Sequence, residues 1–328
     1  MKLAVRRSYF GDRLCFPDVV PHAFLDVQAA YARKLEVEGE YREDAVARAQ
    51  HAIPAQLPAL LRDDPDLGLA RSVQEWALNR VAKGDLLDGC TWNAPRALIG
   101  SPVGSPRMVW GMSANYERTP ADPAAPAPAP DPDARGLRGF LKAPGAMTGP
   151  YDDVFYPGIS QRVEPELELA VVVGRRSRGL DRENAMSAVA GYVACFDITA
   201  RDVVSQDRRM GDRGKGFDTF AVVGPWFVTA DEVADPYKLR IRTWVNGKPR
   251  QDALAGEMLH DIPAQLCWLS AALTLRPGDL LSTGSPAGVA PVAPGDVMSG
   301  EIEGLGEIEN RVVSEPALVS AVPPGDAA

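Results

Sequence analysis

The chain reads as an α+β protein on three observations. Glu166-Leu167-Glu168-Leu169-Ala170-Val171-Val172-Val173-Gly174 is apolar enough to form a buried strand. Tyr192-Val193-Ala194-Cys195-Phe196-Asp197-Ile198-Thr199-Ala200-Arg201-Asp202 reads as a second buried strand that runs into a charged end. The first hundred residues instead place apolar side chains at helical spacing.

In chain order, Met1 to Phe16 predicts a small hairpin turning near Gly11. Phe24, Val27, Tyr31 and Leu35 predict one helix, and Leu69, Val73, Trp76 and Ala77 another. Pro54, Pro58 and Pro65 divide this region into short helices, and Tyr31 and Trp76 read as core residues. Residues 1–100 are thus expected to form a hairpin plus an α-rich cap, with a junction near Gly100 to Pro106. Between the two buried strands, Asp181 to Gly191 predicts a short helix with Asp181 as N-cap and Gly191 as stop. Ala317 to Ala328, rich in Pro and Ala, reads as a flexible tail, and no internal repeat is visible.

Side chains on a strand alternate between faces. Glu166 and Glu168 therefore point one way, and Leu167, Leu169, Val171 and Val173 the other. Adjacent carboxylates in a core segment repel each other and lose hydration, and a divalent cation is the simplest compensation. The alternative is an edge strand with a solvated acidic face. The strand–helix–strand spacing can bring Asp197 beside the two glutamates, and Cys195 should share its face. Three oxygen ligands with no nearby His suit a hard cation: Mg²⁺ first, then Mn²⁺ or Ca²⁺.

Seven segments occur in an order that carries a resemblance: Gly111-Met112-Ser113-Ala114-Asn115-Tyr116; Phe140-Leu141-Lys142-Ala143-Pro144 with Thr148-Gly149-Pro150; the Glu166/Glu168 strand; Asp197 to Asp202; Lys215-Gly216-Phe217-Asp218-Thr219-Phe220 running into Gly224-Pro225-Trp226; Thr283-Gly284-Ser285-Pro286-Ala287-Gly288-Val289; and Ile302-Glu303-Gly304-Leu305-Gly306. Over about residues 95 to 315 the chain resembles the fumarylacetoacetate hydrolase superfamily. The resemblance implies a mixed β-roll catalytic domain over residues 101–316, with short helices outside, and a homodimer. It implies that Glu166, Glu168 and Asp197 hold the metal, and that Lys142 and Lys215 lie beside the substrate. Tyr116, Arg201, Thr283 and Ser285 follow as substrate contacts. It also implies 1,3-dicarbonyl or 2-oxo acid substrates and hydrolytic C–C cleavage, decarboxylation or keto–enol isomerisation. A cation that chelates two substrate oxygens would stabilise the enolate common to these reactions, and a nearby lysine adds positive charge.

The departures are informative too. In much of this family, Asn-Tyr is followed by a His and then a Glu that activate water; here Thr119 and Asp122 hold those positions. A threonine hydroxyl is a poor proton acceptor at neutral pH. The replacement bases are Asp122, Glu117, Lys142 with a pKa lowered by burial, and His260, the other histidines being His22 and His51. Pro120, Pro123, Pro126, Pro128, Pro130 and Pro132 forbid a regular helix over 119–135 and suggest an extended flap. Gly145, Phe196 and Val204 stand where relatives carry polar residues, which predicts a less polar pocket.

A net charge of −9 over 328 residues, with a pI near 5.0, argues against nucleic acid and anionic membranes as partners. The first residues lack the apolar run of a signal peptide, and no stretch reaches the length of a membrane span. Cys15, Cys90, Cys195 and Cys267 fit no zinc or redox spacing and read as reduced thiols of a cytoplasmic protein. The leading expectation is a Mg²⁺-dependent hydrolase that cleaves a C–C bond next to a carbonyl in a 1,3-dicarbonyl or acylpyruvate-like compound. The alternative is decarboxylation, tautomerisation or isomerisation through the same enolate.

Overall fold

The computed structural model describes residues 1–9, 11–39, 43–93, 95–117, 136–207 and 211–316. Its architecture is mixed α+β, built on a 12-stranded sheet and a 5-stranded sheet. Strands Val163–Val173 and Ala221–Thr229 flank Val189–Ala200 on either side in the large sheet, all antiparallel. Leu280–Ser282 pairs with the outer edge of Val163–Val173, followed by Val109–Ser113 and then Arg138–Lys142.

The expected N-terminal hairpin is present. Lys2–Arg6 pairs with Arg13–Val20, Val5 lies opposite Leu14, and Gly11 takes φ 106° in the turn. That φ lies where only glycine is unstrained. Lys2–Arg6 also pairs with Ala221–Thr229, so the N-terminal strands extend the large sheet. Helix Val27–Glu38 starts at Asp26, whose carboxylate accepts from the Ala29 amide at 2.9 Å, and ends at Gly39 in the left-handed region. Helix Gly68–Val81 buries Ala70, Val73 and Ala77, while Tyr31 and Trp76 pack against the same core half-buried.

The central strand follows the predicted alternation. Leu167, Leu169, Val171 and Val173 join Phe196 and Ile198 in the core beneath the small sheet. Gly300 of strand Val297–Ile302 comes so close that a Cβ there would sit 2.7 Å from Phe196 and 2.8 Å from Leu167. Ala170, Val172, Val193 and Cys195 face the opposite way, into the core shared with the N-terminal helices. Both faces of the sheet are thus covered, which explains why these strands are near-continuous apolar runs. Burial pushes the Cys195 thiol up to about 12, consistent with a small core residue.

Two readings differ from expectation. Phe24, placed in the first helix from sequence, lies in strand Ala23–Asp26 opposite Trp92, ahead of the Asp26 cap. Residues 181–191 do not form an α-helix; only a 3₁₀ turn, Ala185–Ala188, is present. The Asp181 carboxylate accepts from the amides of Glu183 at 3.0 Å and Asn184 at 2.9 Å, so the predicted cap closes a turn instead. Gly191 is no helix stop either. It lies in strand Val189–Ala200, where a Cβ would meet the Val228 carbonyl at 2.1 Å. Its glycine answers to close strand packing. Asp122, Thr119, the proline-rich segment and residues 317–328 lie outside the described residues.

Candidate active site

Glu166 and Asp197 are directly opposed across the strand pair, and Glu168 lies opposite Cys195. All three carboxylates therefore sit on the sheet face shared with Ala170 and Val172, at the end the N-terminal helices leave uncovered. They line a cavity of about 990 Å³.

Each carboxylate is held differently. Glu166 accepts from Lys215 Nζ at 2.8 Å, from Thr199 Oγ1 at 2.7 Å, and from Arg201. Burial would raise its pKa, but the Lys215 and Arg201 charges outweigh it and hold the carboxyl well below the usual range. Asp197 accepts from Lys215 on one oxygen and from Lys142 on the other. Glu168, 2% exposed, accepts from Ser282 Oγ at 2.6 Å and the Gly284 amide at 2.9 Å. Burial, then the Asp197 charge, pushes its carboxyl far above the usual range.

The two lysines have separate places. Lys215 lines the cavity, stands between Glu166 and Asp197, and lies 4.6 Å from the centre of the Phe140 ring. Burial opposes its charge, but Asp197 and Glu166 prevail and raise its pKa. Lys142 is fully buried behind Asp197, donates also to the Ile198 carbonyl at 3.1 Å, and does not line the cavity. Burial lowers its pKa against the pull of Asp197.

The remaining predicted residues divide. Tyr116, Glu117, Arg201 and Ser285 line the cavity. Tyr116 is buried and its hydroxyl donates to the Ala255 carbonyl at 3.0 Å, whereas Glu117 is exposed. Thr283 does not line the cavity. It is fully buried and donates to the Leu169 carbonyl at 2.8 Å, securing the loop to the carboxylate strand. His260 does not line it either; it borders an adjoining cavity of about 20 Å³ that shares Met112, Ser113, Ala114 and Arg138 with the large one. Asn115 grips its backbone, accepting from the His260 amide at 2.9 Å and donating to its carbonyl at 3.1 Å.

Four residues at the site went unnoticed in the sequence. Glu164 accepts from Arg162 at 2.7 Å and from Arg201 at 2.6 Å, which ties Arg201 to two glutamates at once. Pro165 interrupts the apolar run and hides the earlier part of the strand. Yet the period of two continues back through Glu164 to Arg162. Ser282 had no signal of its own, since its importance comes from facing Glu168. Arg138 lines the cavity from the strand at the sheet edge.

Among the described residues, no three His, Cys, Asp or Glu side chains already enclose a common point suited to a metal. The Lys215 ammonium stands between two of the carboxylates instead. The donor set nevertheless fits a hard cation. It offers carboxylate oxygen only, and Glu168 is the one of the three carboxylates with no lysine or arginine hydrogen-bonded to it among the described residues, its partners being Ser282 and the Gly284 amide.

Residues 108–313 match the family described as fumarylacetoacetate (FAA) hydrolase C-terminal. The chain belongs to the fumarylacetoacetate hydrolase family. It is 38% identical over 176 residues to a 4-hydroxyphenylacetate degradation bifunctional isomerase/decarboxylase from Salmonella dublin, a match covering 54% of this chain and 41% of that protein. It is 41% identical over 182 residues to a mitochondrial oxaloacetate tautomerase from Bos taurus, covering 53% of this chain and 58% of that protein. The crystal structure of maleylpyruvate hydrolase from Sphingobium sp. SYK-6 in complex with manganese (II) ion and pyruvate superposes with TM-score 0.68 and 28% identity, over 96% of this chain and 100% of that one. The relatives of this fumarylacetoacetate hydrolase family member thus include hydrolases, isomerases, decarboxylases and tautomerases.

Proposed function

We propose that this protein is a divalent-metal-dependent enzyme, with Mg²⁺ as the first choice, that cleaves a C–C bond next to a carbonyl in an acylpyruvate-like or 1,3-dicarbonyl substrate. The observation that carries this reading is the meeting of Glu166, Glu168 and Asp197 with Lys215 in one wall of the large cavity. Manganese and pyruvate in the Sphingobium hydrolase support it. Glu166, Glu168 and Asp197 would hold the cation. When bound, such an ion supplies Lewis acidity toward two substrate oxygens and charge stabilisation for the enolate.

The chain's own residues set the rest. Arg201 and Lys215 keep Glu166 ionised, and Ser282 with the Gly284 amide fixes the Glu168 carboxyl. Lys142 anchors Asp197 from behind. Lys215 stays protonated and adds a fixed positive charge where negative charge develops. Glu117, exposed and lining the cavity, is the described carboxylate placed to take a proton from water.

A second reading keeps the enolate and dispenses with water: decarboxylation, tautomerisation or isomerisation. Thr119 in place of the family histidine favours it. Proton NMR in D₂O with Mg²⁺, against acylpyruvates, β-diketones and oxaloacetate, separates the two. Paired hydrolysis fragments establish the first reading. Proton exchange or CO₂ release without fragments establishes the second, and no change in any substrate contradicts both.

A further inference from the structure

Strand Lys248–Leu254 lies at the edge of the small sheet, and six of its seven side chains are exposed or half-buried. The seventh is Gln251, 1% exposed. A buried amide is unfavourable unless its hydrogen bonds are satisfied. The Gln251 side chain is satisfied at both ends, by the two walls of the active site. Its Oε1 accepts from the Leu167 amide at 3.2 Å, between Glu166 and Glu168, and from Thr243 Oγ1 at 3.3 Å. Its Nε2 donates to Ser285 Oγ at 2.7 Å and to the Pro286 carbonyl at 2.7 Å. Ser285 and Pro286 begin the segment 285–289 that lines the cavity.

A second contact presses the same segment onto the same strand. Gly288 has φ +100°, and a Cβ there would lie 2.6 Å from the Arg250 carbonyl and 3.2 Å from Gln251 Cα. No side chain fits between them. The two contacts fix segment 285–289 against the small sheet at one separation from the carboxylate strand. That strand is itself held by its full-length pairing with Val189–Ala200, so loss of these contacts would release the loop rather than the strand.

We propose that Gln251 is a positioning residue: it sets the gap between the carboxylate strand and cavity wall 285–289, and so fixes the width of the pocket for the part of the substrate beyond the chelated oxygens. This rests on the proposed enolate chemistry for its kinetic consequence, but not for its structural one. The test uses the full chain as wild type, Gln251→Leu and Gly288→Ala, which disturb the contact from opposite sides. Mn²⁺ alone is titrated by calorimetry, steady-state kinetics are run on the best acylpyruvate, and hydrogen exchange is followed in the peptide covering 284–290. Both variants should bind Mn²⁺ within about twofold of wild type, raise KM about tenfold or more with a smaller change in kcat, and exchange faster at 284–290 than in strand 163–173. Unchanged KM and unchanged exchange, with only a lower melting temperature, would show Gln251 to be a packing residue and overturn the proposal. If the wild type turns over no substrate, the functional reading fails, and exchange at 284–290 alone decides the role of Gln251.

Discussion

Ser282 donates to Glu168 at 2.6 Å from within a three-residue strand, and this one hydroxyl orients a proposed metal ligand. Partners of ligands are typically worth about 10- to 100-fold in metal affinity. Ser282→Ala is therefore expected to weaken Mn²⁺ binding by about that factor, read by calorimetry, while circular dichroism stays native. Lys142 makes a different case. Its ammonium is fully buried on Asp197, and removing one member of a buried pair costs about 3–5 kcal/mol. Lys142→Met should lower the urea midpoint accordingly; a variant as stable as wild type would show that Lys215, already on the other oxygen, is enough to hold Asp197. The two lysines were both legible as site residues from sequence, but their division of labour was not. Which one faces the cavity depends on strand Arg138–Lys142 burying its last residue behind the carboxylates, and that is a matter of tertiary packing.

The carboxylate strand was legible because its burial forces a strict period of two, and two glutamates within such a run stand out. The same reasoning stopped at Pro165, so Glu164 and Arg162 were missed, although the proline sits in register opposite Ile198. The segment 181–191 misled because Asp and Gly mark turns as well as helix ends, and the glycine was needed for strand contact. Gly191→Ala places a methyl against the Val228 carbonyl. It should destabilise the protein by about 1–3 kcal/mol, as overpacking does, with the loss read as a lower thermal midpoint. Thr283 was assigned to the substrate by family resemblance; its hydroxyl is instead committed to the Leu169 carbonyl. His260 could not be placed from sequence because its position depends on Asn115, far away in the chain.

Across the whole molecule, the N-terminal hairpin is joined to the large sheet by strand pairing and by the Arg7–Asp152 ion pair at 2.5 Å. Burial alone would raise the Asp152 pKa, but hydrogen bonds from Arg7, Thr148 and the Gly149 amide hold it below the usual range. A carboxyl lowered in the folded state contributes stability that is fully present above its unfolded value, about 3.9, and is lost as pH falls through the folded value. The melting temperature should therefore fall more steeply below about pH 4 in wild type than in Asp152→Asn, which should be less stable at neutral pH. Equal slopes would show that this pair does not hold the two parts together. The α+β class and the order of the motifs were readable because local pattern sets both. The joining of the N-terminal strands to the catalytic sheet was not, since it is a pairing across more than two hundred residues.

The central claim is that Glu166, Glu168 and Asp197 hold a divalent cation on which activity depends. The most direct test is Mn²⁺ binding by electron paramagnetic resonance on wild type and Glu168→Gln, with turnover of the best substrate measured before and after EDTA. One bound Mn²⁺ per chain in wild type, its loss in the variant, and activity abolished by EDTA and restored by Mg²⁺ are the predicted results. Full activity after EDTA, or equal Mn²⁺ binding by the variant, would contradict the account.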